Sequence, residues 1–283
     1  MLFDRLTHHL NIGTELNQKN PLRNGNMLSF PGGGELIVAG DLHNHIRNFE
    51  RIQTAAALEK NPHRHVILQE IVHGGPLGPA GEDRSLDMLL DAIAWAQTFP
   101  GRVHFLLANH DLAQVQGQAI MKDGYDLTER FNRYFRARAG GDLQAAGAAF
   151  RNFIFSMPLA AITLTGILLS HSLPAAKDLA TFDNTIFRRQ LMEADFSRAG
   201  SAYQLVWGRY QTQEVLSTLS RAWWADLFVC GHQAQDTGVG TIGDRMVIID
   251  SSHNHGAFLP IDLARQYTLE DLAAAARPLA SIA

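Results

Sequence analysis

The chain has 283 residues, of which 46% are apolar and 18% charged. That is a globular composition, and it excludes a disordered chain or a coiled coil. Lys and Arg number 24 against 28 Asp and Glu, a net charge of −4, which argues against a broad nucleic-acid or anionic-membrane surface. The single cysteine, Cys230, excludes an internal disulfide and any multi-cysteine zinc site, and it fits a reducing cytoplasm. No apolar run approaches the roughly 20 residues that cross a bilayer. The first residues lack a charged-then-apolar signal layout.

Residues 1–34 read as a polar lead-in ending in the glycines of PGGGE. ELIVAG (35–40) reads as a buried strand ending in Asp41-Leu42-His43. Residues 46–60 carry apolar positions at helical spacing, and HVILQE (65–70) reads as a second strand. A Gly/Pro loop precedes an amphipathic helix over 84–99. VHFLLA (103–108) is a third strand, followed by Asn109-His110-Asp111. Parallel strands place polar residues at their carboxyl ends, so these three sets should meet at one edge. Asp41 and His43, two apart, would share a face if the strand continued. Residues 112–155 read as mostly helical, broken near Gly140-Gly141. LAAITLTGILLSH (159–171) reads as two strands ending in His171; helices are expected at about 183–195 and 211–224. DLFVCG (226–231) is a strand before His232, and 239–250 reads as a hairpin. The tail from 268 reads as an Ala-rich helix.

Five strand ends thus carry metal-competent side chains: Asp41 and His43, Glu70, Asn109 and His110, His171, and His232. Mixed oxygen and imidazole donors suit Mn, Fe, Zn or Mg rather than a thiolate metal. A lone histidine at a strand end is ordinarily structural; five such sets in order are not an ordinary coincidence.

GDLHNH, QEIVHGG, ANHDLA, LLSHSLP and CGHQAQDTG, taken in order, resemble the metallophosphoesterase (calcineurin-like) pattern, and most closely its phosphoprotein-phosphatase branch. LVWGR and SSHNHG resemble further segments of that branch. The likeness runs from about 35 to 258. It implies a four-layer α/β sandwich of two mixed sheets with flanking helices over 35–265, a helical cap at about 112–158, and a C-terminal helix over 266–283. It also implies two divalent metal ions: Asp41, His43 and Glu70 around one, and Glu70, Asn109, His171 and His232 around the other. A metal-activated hydroxide would attack a phosphate monoester, with His110 as general acid and Asp111 orienting that segment.

Three departures stand out. Glu70 replaces a bridging Asp, His73 replaces an Asp that orients the catalytic histidine, and Gly74 replaces a phosphate-gripping Arg. His255 stands where the family has a Tyr. Candidate phosphate-binding residues are therefore Arg209, His73, His255 and Arg84, with Arg188-Arg189 as a weaker candidate. Gly238–Gly243 fits GxGxxG but is followed at once by a strand, so a dinucleotide site is not expected. The HNH letters at 43–45 and 253–255 lack nuclease spacing, and Trp223-Trp224 reads as helix-end packing. The expected activity is a binuclear phosphatase acting on a phosphoprotein or a small phosphate ester. The alternatives are a dinucleoside polyphosphate or nucleotide pyrophosphohydrolase, and a degenerate non-catalytic metal- or partner-binding module.

Overall fold

Strand–helix alternation from 35 to 111 folds as three parallel neighbours. In the computed structural model, which describes residues 3–282, the strands are β1 (Arg23–Asn24), β2 (Met27–Phe30), β3 (Glu35–Asp41), β4 (Arg64–Gln69), β5 (Val103–Leu106), β6 (Met121–Lys122), β7 (Tyr125–Asp126), β8 (Ala160–Thr163), β9 (Ile167–Ser170), β10 (Leu227–Cys230), β11 (Val239–Ile242), β12 (Met246–Ile249), β13 (Ala257–Asp262) and β14 (Arg277–Pro278). The helices are α1 (Phe3–Gln18), α2 (Ile46–Ala56), α3 (Ser85–Thr98), α4 (Asn109–Gln116), α5 (Leu127–Ala139), α6 (Leu143–Ser156), α7 (Ser201–Trp207), α8 (Gln213–Trp223) and α9 (Leu269–Ala274).

Two mixed sheets result. The larger runs β1-β2-β8-β9-β10-β12-β11 and the smaller β14-β13-β3-β4-β5, while β6 and β7 form a separate hairpin. β3, β4 and β5 are parallel, and so are β9, β10 and β12. Their near-continuous apolar sequences suit strands buried on both faces. Alternation divides each strand between two cores. Leu36, Val38, Ile67 and Leu106 share one buried cluster with Leu28, Phe30, Leu169, Val229 and Val247 of the other sheet. Ile37, Ala39, Val66, Leu68 and Phe105 join a second cluster with Ile52 of α2, Leu89 and Ile93 of α3, and Phe153 of α6. No helix among the described residues is long and apolar enough to cross a membrane.

Several expectations are corrected. The first 34 residues are not only a lead-in: α1 packs on α3 and α6, and β2 pairs in parallel with β8. Residues 183–195 form two 3-10 turns, not a helix. Asp183 accepts from the Thr185 N–H, and Arg189 bridges the Asp183 and Asp195 carboxylates, holding a bent path. α7 and β13 are elements that the sequence pattern does not mark. β13 contains Pro260, which ordinarily argues against a strand. Pro260 is tolerated because pairing with β14 covers only Ala257 and Phe258. The tail is helical only over α9, and Pro278 then pairs in β14. The hairpin β11–β12 is present, and a strand, β12, is the next element after Gly243.

Candidate metal centre

The carboxyl ends of β3, β4, β5, β9 and β10 converge. His43 does not reach the site by strand alternation, as the sequence suggested. β3 ends at Asp41, and His43 lies in a left-handed turn with φ +42°. That turn is held by the Glu70 carbonyl, which accepts from His43 N at 2.8 Å and Leu42 N at 3.2 Å. Glu70, His73 and His232 also have positive φ, at +46°, +67° and +66°. Such backbone is costly for residues with a Cβ and persists where surrounding structure imposes it. Gly231 permits the closest approach: a Cβ there would lie 2.2 Å from Asp41 Oδ1.

Two groups of side chains could each hold a cation, and Glu70 belongs to both. One is His43, Glu70 and His110; the other is Asp41, Glu70 and His171, with the donor atoms of each within 4.8 Å of one another. This division differs from the one the resemblance implies, since Asp41 falls with His171 and His110 falls with His43. Glu70 Oε2 lies 3.5 Å from His43 Nε2, and Oε1 lies 3.5 Å from His171 Nε2. Asp41 accepts from His232 N at 2.9 Å, tying β3 to β10.

Proton accounting shows what the cluster fits. Gln69 donates its Nε2 to the Ala39 carbonyl, so its Oε1, 2.9 Å from His171 Nδ1, accepts there. A neutral imidazole carries one proton. His171 Nε2 therefore turns a lone pair toward Asn109 Oδ1 at 2.7 Å. His43 Nδ1 donates to the Val72 carbonyl at 3.2 Å, leaving Nε2 as a lone pair facing Glu70. The buried Nε2 of His232 has no hydrogen-bond partner. Acceptors facing acceptors in a buried space suit a cation, and imidazoles held by their outer nitrogen are the usual metal-ligating arrangement.

Electrostatics agree. Burial, and then the neighbouring Glu70 charge, push the Asp41 carboxyl well above its usual range. Burial raises Glu70 to about 7 and Asp111 to about 7. Burial, then Arg209, lowers His232 to about 3; burial and neighbouring histidines lower His171 and His110. A divalent cation would reverse the penalty on the carboxylates and bind the neutral imidazoles directly.

The remaining candidates separate. Asp111 accepts from Ala108 N at 3.2 Å at the start of α4, and its other oxygen is buried without a partner. His73 is corrected as a phosphate ligand: it is 2% exposed, and both ring nitrogens face protein, His110 and Gln114. His255 is exposed, and its N–H is spent on His253 Nδ1. Arg84 is held by Asp87 and stacks on Tyr134, lining a cavity of about 550 Å³ between α2 and α3. Arg188 and Arg189 lie elsewhere; Arg189 is committed to Asp183 and Asp195. Arg209 Nη2 lies 3.5 Å from His232 Nδ1. Arg209 also lines a cavity of about 260 Å³ with Lys177, Arg198, Tyr203 and Trp207. Trp223 packs with Phe182, Phe187 and Phe228 in the core, while Trp224 is 90% exposed. The sequence reading missed Gln69, Gln114 and Asn132, neutral amides that a search for titratable groups passes over.

No protein-family model matches the chain, and no curated protein matches it by sequence. Solved structures do match. A protein serine/threonine phosphatase from Saccharomyces cerevisiae superposes with a TM-score of 0.66 at 12% identity, covering 91% of this chain and 82% of that one. A cold-active protein-tyrosine phosphatase from a psychrophilic Shewanella species superposes at 0.59 and 17% identity, covering 94% and 84%. At such identities the likeness is one of architecture: this chain has a mixed α/β fold of the kind those phosphatases share.

Proposed function

We propose that the chain is a binuclear metal-dependent phosphatase that hydrolyses phosphate monoesters, built as a calcineurin-like four-layer sandwich. The observation that carries this reading is the shared Glu70, whose two oxygens face separate donor groups. Asp41, His43, Glu70, Asn109, His171 and His232 would hold two divalent ions of the Mn, Fe, Zn or Mg class. When bound, such a pair lowers the pKa of a shared water and stabilises charge on the attacking and leaving oxygens.

The chain's own residues do the rest. Arg209, whose positive charge also acts on Glu70, would bind the phosphate. His110 moves a proton at the leaving-group side. Gly231 lets Asp41 close against β10. Within segment 112–158, Phe131 packs against His73 with ring centroids 5.9 Å apart, and this is where a cap would adjoin the site. A thiolate route is closed, because Cys230 is buried and its thiol is pushed up to about 12. The cavity beside Arg209 favours a second reading, hydrolysis of a nucleotide polyphosphate, since Lys177, Arg198 and aromatic Tyr203 and Trp207 suit a second phosphate and a base.

The test is metal analysis of the purified protein with a substrate panel in Mn. Two ions per chain and phosphate released from monoesters are expected. Nucleotide products in place of free phosphate would select the second reading. A protein that binds two ions and hydrolyses nothing would be the non-catalytic module.

A further inference from the structure

Three imidazoles offer donor atoms beside Glu70, those of His43, His110 and His171, and two of them hold their outer nitrogen against the protein: His43 on Val72 and His171 on Gln69. The third, His110, has a different kind of partner. Its Nδ1 lies 3.1 Å from His73 Nδ1. Two like nitrogens share one proton, so the partners of His73 decide which ring holds it.

Those partners are a chain of neutral amides. Asn132 Oδ1 accepts from Gln114 Nε2 at 2.8 Å. Gln114 Oε1 is then the atom facing His73 Nε2 at 2.7 Å. An oxygen acceptor requires the proton on His73 Nε2, which leaves His73 Nδ1 as a lone pair. His110 must supply the proton between the rings from its own Nδ1. We propose that Gln114 and Asn132 are positioning residues that fix the tautomer of His110 through His73, so that in the neutral ring Nδ1 keeps its proton and Nε2 is the nitrogen that takes up and gives the transferred proton at the site. His110 then matches His43 and His171, each held by Nδ1.

The frame that holds the relay is stiff. His73 is 2% exposed and Gln114 7%. The His73 N–H is fixed by Ser85 Oγ at 3.1 Å, and Phe131 packs edge-on against its ring. Gln114 comes from α4 and Asn132 from α5, so the relay joins segment 112–158 to the site.

The relay's existence does not depend on the activity; only its kinetic effect rests on the phosphatase reading. The test is ¹⁵N imidazole NMR on the full-length, zinc-loaded protein. Protonated Nδ1 on His110 and protonated Nε2 on His73 are expected. Gln114→Glu and Asn132→Asp can only accept at the relevant atoms and should keep this pattern. Asn132→Lys, at a half-buried position, can only donate; it should turn the Gln114 amide over and move the His110 proton to Nε2. Gln114→Leu should mix the tautomers and lower kcat on an aryl phosphate about 10–100-fold, the usual effect of losing an outer-shell partner, with KM unchanged. Gln114→Glu should restore it. A protonated Nε2 on His110 in the wild type overturns the relay, as does a pattern that Asn132→Lys leaves unmoved. If no substrate is hydrolysed, the functional reading fails while the nitrogen shifts still decide the relay.

Discussion

Glu70 reaches both donor groups from a left-handed backbone with φ +46°, and its side chain is one methylene longer than that of an Asp. The longer arm is compatible with spanning: its two oxygens stand 3.5 Å from His43 on one side and 3.5 Å from His171 on the other. Removing it should therefore weaken both ions, whereas Asp41→Asn should weaken mainly the ion beside His171. Metal titration followed by calorimetry separates the two cases; loss of a single ion in Glu70→Ala would end the bridging role. Protonation adds a sign. Burial raises Glu70 to about 7 from an ordinary value of 4.5. Below that value the metal-free site holds a protonated carboxyl, and a cation must displace the proton. Metal affinity should rise with pH through about 6 to 8, with proton release on binding near pH 6.5. Pairing zinc titrations in two buffers of different ionisation enthalpy measures that release.

Between elements, the link from strand ends to site was legible because polar residues following short apolar runs have few places to go in a parallel sheet. Asp41, Glu70, Asn109, His171 and His232 needed only that rule. What escaped was set by turns and by distant partners. His43 gets its direction from backbone φ, not from strand periodicity. His73 finds Gln114 41 positions later, and Gln114 finds Asn132 18 positions on; neutral amides at those spacings carry no local signal. The loop after β4 also shows why position 74 carries no side chain. Gly74 has φ +153°, and a Cβ there would lie 2.5 Å from the His43 carbonyl oxygen and 3.0 Å from His43 Cβ. A side chain at this point must push the His43 turn away. Gly74→Arg should therefore cost about 1–3 kcal/mol in backbone strain and weaken the ion beside His43, instead of tightening phosphate. A variant that binds phosphate more tightly at unchanged melting temperature would show that the loop can move aside.

At the scale of the whole molecule, the site depends on two sheets meeting at one edge. Asp41 forms a bridge to Asp250 there, and Ser251 N donates to the Asp41 carbonyl at 3.1 Å. The stack behind that edge includes residues 3–34. Leu28 and Phe30 of β2 are buried between the sheets, and Leu6 and Leu10 of α1 are buried under the helices. Arg23 donates to the carbonyl oxygens of Asn17 and Ser156, fastening β1 to the ends of α1 and α6. Burying a large apolar side chain is worth about 1.5–3 kcal/mol, so these four account for roughly 6–12 kcal/mol, comparable with the whole stability of a typical domain. A chain starting at residue 35 would lose that burial and leave β8 as an open edge, whose unpaired backbone invites association. It should be insoluble or aggregated, with no cooperative melt, although every proposed ligand remains in it. Adding residues 1–34 back as a separate polypeptide should recover a soluble complex and its metal binding together. A soluble, cooperatively folded 35–283 fragment that binds two ions unaided would show instead that the N-terminal segment is dispensable to the sheet edge on which the site is built.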